Sequence, residues 1–200
     1  MRKILLPLLA FSLVACAVSR RGEVVFPANY RPSDDPLPPA LPSCSSQIQV
    51  TVTDIRDNPS VVGRRYEQSS PTVDYPIRIQ GDVPAYVRAG LDRALRVFST
   101  STGRPGAATL ALTVTQLTVE EAIVHNSDFK GQVLLEAVLT SPSGQSCWKG
   151  VGRGSSINAG RAGNTENYVE TLNLALDRAV ASLLAAPGFT DALCGRCSAP

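Results

Sequence analysis

The chain has 200 residues, with 19 Lys+Arg against 17 Asp+Glu and a single histidine. Two of the basic residues lie in the first 15 positions, so the rest of the chain has 17 basic and 17 acidic residues and is close to neutral. This balance gives no basic stripe for nucleic acid or for anionic lipid, and we predict neither as a ligand of the domain.

The amino-terminal residues have the three parts of an export signal. Arg2 and Lys3 precede an apolar run over residues 4–13. This run is about half the roughly 20 residues that span a bilayer. It ends in Leu13-Val14-Ala15-Cys16, which resembles the lipobox of bacterial lipoproteins, where the cysteine thiolate accepts a diacylglyceryl group. We predict that residues 1–15 are a signal peptide and that Cys16 carries covalent lipid, with no other cofactor.

The residues after Cys16 suggest an address and a tether. Ala17 stands where an aspartate would retain an enterobacterial lipoprotein at the inner membrane, so the resemblance implies a lipid anchor in the outer membrane, facing the periplasm. Residues 16–46 are rich in proline, which fixes φ and removes amide donors. We predict an extended tether that could hold the domain tens of ångströms from the membrane, at roughly 3.1 Å per residue.

Residues 47–188 are predicted to form a single α+β domain. Apolar residues alternate with polar ones from Ile48 to Val52, which is typical of a half-buried strand. A second run, Val73 to Ile79, is predicted as an edge strand because Pro76 cannot donate to a ladder. Asp82 is a candidate N-cap for the helix that follows, with Pro84 in its first turn.

The second half of the domain repeats this alternation. A strand over 110–114 is followed by a predicted hairpin into 133–139 and by a further strand over 145–153. Asn164 or Thr165 can cap a last helix, which Pro187-Gly188 ends. We predict an antiparallel sheet of about four to five strands with two amphipathic helices packed on one face, followed by a cysteine-containing tail over 189–200.

The order of these elements resembles a known family over about residues 47–186. The similarity rests on the positions Asp54-Ile55-Arg56, Val62-Gly63, Asp82-Val83, Tyr86-Val87-Arg88, Trp148-Lys149-Gly150 and Glu166-Asn167-Tyr168. They resemble the YajG-type family of periplasmic lipoproteins, which looks related to small α+β envelope domains such as the amino-terminal domain of TolB. The resemblance implies a fold and an address, and it supplies no catalytic residues. The proline-rich tether and the tail depart from the family.

Four further cysteines, Cys44, Cys147, Cys194 and Cys197, favour structural disulfides in an exported chain. We predict that Cys147 pairs with Cys194 or Cys197 and that Cys44 takes the remaining one. The rival pairing joins Cys194 to Cys197 and Cys44 to Cys147. The Cys194–Cys197 spacing also matches thiol–disulfide oxidoreductases, although their reactive thiol lies at a helix N-terminus and this pair follows a helix end. A four-cysteine zinc site is a further alternative.

The remaining candidates carry weaker signals, and we predict no catalytic residue and no metal site. His125, near the hairpin turn, is interpreted as surface decoration. The glycines of Gly150-Val151-Gly152-Arg153-Gly154 lack dinucleotide or phosphate-loop spacing and are interpreted as a flexible end of a strand. Glu120-Glu121 is interpreted as a solvated patch.

These observations favour a non-enzymatic, lipid-anchored module that assists an envelope assembly for transport, secretion or cell-wall work. Its partners would be the membrane and an envelope protein, with no nucleic acid or small-molecule substrate. The predicted docking surfaces are the sheet edge from Val73 to Ile79 and the hairpin from Glu120 to Phe129. The alternatives are a thiol–disulfide enzyme or redox chaperone using Cys194 and Cys197, and a structural envelope protein.

Overall fold

The computed structural model describes residues 22–33, 48–95, 108–123, 127–194 and 196. Over these residues a seven-stranded sheet carries its helices on one face. In chain order the elements are β1 (Val24–Pro27), β2 (Ile48–Asp54), β3 (Val61–Glu67), β4 (Ser70–Gln80), α1 (Val83–Ala94), β5 (Ala108–Ile123), β6 (Ser127–Thr140), β7 (Ser146–Gly160), α2 (Thr165–Leu184) and α3 (Phe189–Leu193).

The sheet is mixed, so the predicted antiparallel sheet of four to five strands with two helices is wrong. The strand order is β1-β4-β3-β5-β6-β7, with β2 also paired to β5. The pairs β1–β4, β2–β5 and β3–β5 are parallel, and the other three are antiparallel. Alternation in a sequence reveals a strand but not its partner. Parallel neighbours are joined by long crossovers that leave no local signal.

β2 and β3 lie end to end along the same side of β5. β2 pairs with residues 108–114 and β3 with residues 119–123. Arg56 closes the gap between them: it donates to the Leu117 carbonyl at 3.1 Å and to the Pro59 carbonyl at 2.8 Å, and forms a 2.7 Å ion pair with Asp54. One guanidinium therefore satisfies backbone groups that the break in the ladder leaves without strand partners.

β4 is not an edge strand along its whole length. It pairs with β3 on one side, and its residues 77–80 pair with β1 on the other. Pro76 lies immediately before the β1 pairing begins at Ile77, so its missing amide costs that ladder nothing. β1 comes from the segment predicted as tether, and its Val24 and Phe26 side chains are buried. The described part of that segment, residues 22–33, therefore packs on the domain.

Both long helices begin where the sequence predicts. The Asp82 carboxylate accepts from the Ala85 amide at 3.1 Å, and the Asn164 side chain accepts from the Glu166 amide at 3.2 Å. The buried stripe of α2 packs on β6 and β7, and α1 packs on α2. α3 lies in the predicted tail. Within the described residues, we find no helix with the length and apolar character to cross a membrane.

The glycines of β7 bring α2 unusually close to the sheet. They lie in the middle of a 15-residue strand, so their interpretation as a flexible strand end is wrong. A Cβ atom at Gly154 would lie 1.9 Å from the Ala175 carbonyl oxygen, and one at Gly152 would lie 2.4 Å from that of Ala179. The main chain of α2 rests directly on β7 because these positions have no side chain.

Candidate functional site

A buried ionic cluster, formed by Arg65, Glu121 and Tyr168, joins β3, β5 and α2. Arg65 Nε donates to Glu121 Oε2 at 2.8 Å, and the Tyr168 hydroxyl donates to the same oxygen. The Gly163 amide donates to Glu121 Oε1 at 3.0 Å. Arg65 is 1% exposed and Glu121 is fully buried. The charges are thus neutralised inside the protein rather than presented to solvent.

The sheet register places these groups together. Arg65 and Glu121 are direct partners in the parallel β3–β5 pair, and Glu121 shares the inward face with Val119 and Ile123. The interpretation of Glu121 as a solvated residue is therefore wrong. Its neighbour Glu120 points to the other face, where it pairs with Arg64. Glu121 falls at the alternate position between the apolar residues Val119 and Ile123, and this spacing is the sequence signal that could have identified it.

The rest of the cluster is enclosed by aromatic rings and the amino-terminal chain. Burial raises the pKa of the Tyr168 hydroxyl, and its hydrogen bond to Glu121 raises it further, so it stays a donor. The ring stacks on Phe26 and meets Phe129 edge-on. Arg65 Nη1 donates to the Gly22 carbonyl at 3.3 Å, and Nη2 is buried without a hydrogen-bond partner. This arrangement links β3, β5, α2 and the amino-terminal segment.

A second cluster fixes residues 28–33, which we call the strap, across the helices. Asp177 of α2 accepts from the Tyr30 hydroxyl at 2.6 Å and from the Ser33 amide at 3.0 Å. Arg93 of α1 donates to the same carboxylate at 3.0 Å. Burial raises the pKa of Tyr30 to about 12, and the bond to Asp177 adds to that rise. The strap is therefore held by charge-assisted hydrogen bonds.

The sheet face away from the helices carries an open groove of about 570 Å³, which we call the outer-face groove. Its polar lining includes Arg64, Asp74, Gln116, Thr118, Glu120 and Lys130. Arg64 forms a 3.2 Å ion pair with Glu120, and its side chain is 53% exposed. Charges of both signs beside amide and hydroxyl groups suit a polar polypeptide segment better than an apolar ligand.

The strand edges are less available for docking than the sequence predicts. The edge at Val73 to Ile79 is covered by β1 from Ile77 onward. On the β7 edge, Arg178 donates to the Ser155 carbonyl at 2.9 Å. On β2, Arg88 donates to the Val50 carbonyl at 2.7 Å. Arginine side chains thus occupy carbonyls that a docking strand would need.

The predicted hairpin surface is also mostly internal. Glu121, Ile123 and Phe129 are buried, and residues 124–126, including His125, lie outside the described residues. Glu120 lines the outer-face groove, as does Lys130, which directly follows this region. The described part of the hairpin therefore presents a surface to a partner only through its outward face.

The structure describes two of the five cysteines. Cys147 and Cys194 are both disulfide-bonded, and Cys194 caps the carboxyl end of α3. Cys16, Cys44 and Cys197 lie outside the described residues, so the connectivity stays a prediction. Across the part of the chain that the structure describes, no group of three or more His, Cys, Asp or Glu could hold a metal ion.

Comparisons with known proteins show the fold alone. No family model matches the sequence, and no curated protein matches it. The crystal structure of protein XCC0632 from Xanthomonas campestris, described as DUF330, has a TM-score of 0.55 and 15% identity, covering 85% of this chain and 96% of that one.

Two further structures are less similar. Hypothetical protein CT253 from Chlamydia trachomatis has a TM-score of 0.42 and 9% identity, covering 76% of this chain and 99% of that one. Lipoprotein GNA1162 from Neisseria meningitidis has a TM-score of 0.26 and 14% identity, covering 56% and 84%. The chain therefore shares its fold with the Xanthomonas protein, and the YajG-type assignment stays a resemblance.

Proposed function

We propose that this chain is a lipid-anchored envelope protein whose domain acts as a non-catalytic binding module for another envelope protein. The anchor is the lipid on Cys16, and the address is the periplasmic side of the outer membrane. The Leu13-Val14-Ala15-Cys16 sequence after a short apolar run supports the anchor. Anchoring confines the domain to one surface and so raises its effective concentration for partners there.

The outer-face groove is the observation that supports binding. Arg64, Asp74 and Glu120 are each between 42% and 54% exposed, so their ion pairs are of the surface kind. Such pairs contribute only about 0–1 kcal/mol to stability. The fold therefore depends little on these pairs, and their side chains are free to rearrange when a partner binds. A partner segment with acidic and basic side chains can exchange these contacts for its own at small cost.

Crosslinking in living cells tests this binding role. A photo-reactive residue at Thr118 lies in the groove, and one at Ser182, an exposed position of α2, is the matched control. We expect a specific protein adduct at Thr118 that is lost on Arg64→Ala and absent at Ser182. The same profile at both probe sites would refute recognition through the groove.

The anchor has a separate test. Cys16→Ala should give an unlipidated precursor that is cleaved more slowly and no longer partitions into detergent. Mass spectrometry of the amino-terminal peptide measures the acyl chains directly. If the variant still carries acyl chains and partitions as the unaltered protein does, the lipoprotein assignment fails.

The redox alternative has less support. Cys194 lies at the carboxyl end of α3, where the negative end of the helix dipole disfavours a thiolate. Reactive thiols of oxidoreductases lie at helix N-termini for the opposite reason. A measurable thiol-exchange activity that Cys194→Ser abolishes would nevertheless move the protein to the enzyme class.

A further inference from the structure

At one end of the sheet, the order of strands brings together the ends of five strands. β3 and β5 end there, β4 and β6 begin there, and β7 runs back to it before α2 starts. We call it the proximal end. Its described exposed residues include Gln68, Ser69, Asp128 and Arg161. The opposite, distal end holds the β6–β7 turn, with Ser143 exposed.

The amino-terminal chain enters the domain close to the proximal end. β1 is parallel to β4, which begins at that end, so the chain before Val24 leads toward it. The Gly22 carbonyl is bound to Arg65, which lies at the level of Glu121, two residues from the end of β5. The entry point is fixed because β1, the strap and the buried ionic cluster all hold this segment.

Chain length then limits how far this end can lie from the lipid. Six Cα–Cα steps separate Cys16 from Gly22, and even a fully extended chain spans about 20 Å over that distance. From the level of Glu121 to the start of β5 at Ala108 the sheet extends about 44 Å further, at about 3.4 Å per residue. The linker is therefore too short for the distal end to reach the bilayer while the proximal end points away from it.

We propose that the proximal end faces the bilayer and contacts its headgroup layer, with the β6–β7 turn directed away from the membrane. This inference rests on the lipid anchor of the proposed function. The exposed side chains at this end are polar and of both charges, as Asp128 and Arg161 illustrate, so they suit the hydrated headgroup layer rather than the hydrocarbon core. The outer-face groove, along the side of the sheet, stays accessible to a partner.

Site-specific quenching in vesicles tests the orientation. The full-length lipidated protein is reconstituted in phosphatidylcholine–phosphatidylglycerol vesicles containing a lipid with a nitroxide on its headgroup. A fluorescent non-natural amino acid, which avoids adding a cysteine, replaces Gln68 in one variant and Ser143 in another. We expect several-fold stronger quenching at Gln68. A flexible Gly/Ser insertion of about 20 residues before Gly22 should bring the two values together, since such a linker reaches farther.

The outcomes separate the inference from the proposed function. Equal quenching at Gln68 and Ser143 in the acylated protein would mean that the domain lies on its side, and stronger quenching at Ser143 would mean that it is inverted. Either result overturns the orientation and leaves the anchor intact. Absence of acyl chains on the Cys16 peptide, measured before reconstitution, overturns the anchor and the orientation with it.

Discussion

Glu121→Gln should destabilise the domain far more than the same change at its neighbour Glu120. Three donors converge on the Glu121 carboxylate: Arg65 Nε at 2.8 Å, the Tyr168 hydroxyl and the Gly163 amide at 3.0 Å. An amide removes the counter-charge of a buried guanidinium and turns an NH₂ group toward at least one donor. Breaking a buried pair in this way costs about 3–5 kcal/mol.

The control has the same chemistry in a different environment. Glu120 pairs with Arg64 at 3.2 Å, and both side chains are about half exposed. Its replacement by glutamine should cost about 0–1 kcal/mol. A domain of this size has a total unfolding free energy of about 5–15 kcal/mol, so the loss at Glu121 is a large fraction of it.

Urea unfolding followed by circular dichroism measures both variants against the unaltered mature chain. A loss at Glu121 no larger than that at Glu120 would refute the account of the buried ionic cluster. A triple variant tests whether the loss comes from an unpaired buried charge. Arg65→Met, Glu121→Leu and Tyr168→Phe together remove every side-chain member of the cluster. This variant should recover most of the lost stability, because an apolar replacement leaves no charge buried without a partner.

Three further predictions concern other parts of the structure. Gly154→Ala should lower the free energy of unfolding by about 1–3 kcal/mol in urea, because its Cβ would meet the backbone of α2. The control Ser155→Ala, at an exposed neighbouring position, should change it by less than about 0.5 kcal/mol. Equal effects would contradict the close packing. Burial and the hydrogen bond to Asp177 raise the pKa of Tyr30 to about 12 from its usual value of 10.0, so its contribution to stability is complete below pH 10 and is lost as the pH rises through 10 toward 12. Tyr30→Phe should reduce the alkaline loss of stability followed by circular dichroism, and an unchanged profile would refute the strap contact. Reducing the disulfides that hold Cys147 and Cys194 should lower stability by about 2–4 kcal/mol for each bridge; a melting temperature unaffected by reductant would contradict this.

The sequence predicts those features of the fold whose cause is local. The caps at Asp82 and Asn164 are properties of a few neighbouring residues, and the structure has both. Alternation likewise identifies strands such as β2 and β5. The parallel pairing of β2 and β3 with β5 depends on contacts between distant segments, which no local pattern records. The predicted sheet was therefore wrong in strand number and direction.

The candidate site shows the same limit at the level of single residues. Glu120 and Glu121 are identical in type, and their opposite environments follow only from which face of β5 each one occupies. Composition favours exposure for both. The glycines of β7 were misinterpreted for a similar reason, since the close contact with α2 depends on the placement of a helix that follows later in the chain.

The end-to-end arrangement of β2 and β3 along β5 has a consequence for the order of assembly. A chain that emerges amino-terminus first presents both strands before β5 exists, so β2 has no strand to pair with among the elements made before it. β5, β6, β7 and α2 are consecutive in the chain and neighbours in space, and such local pairings form early. The half of the domain that is synthesised first is therefore completed last. Until β5 arrives, β2 has no partner and β3 is paired on one side by β4, so this half keeps an open strand that an assisting chaperone could hold.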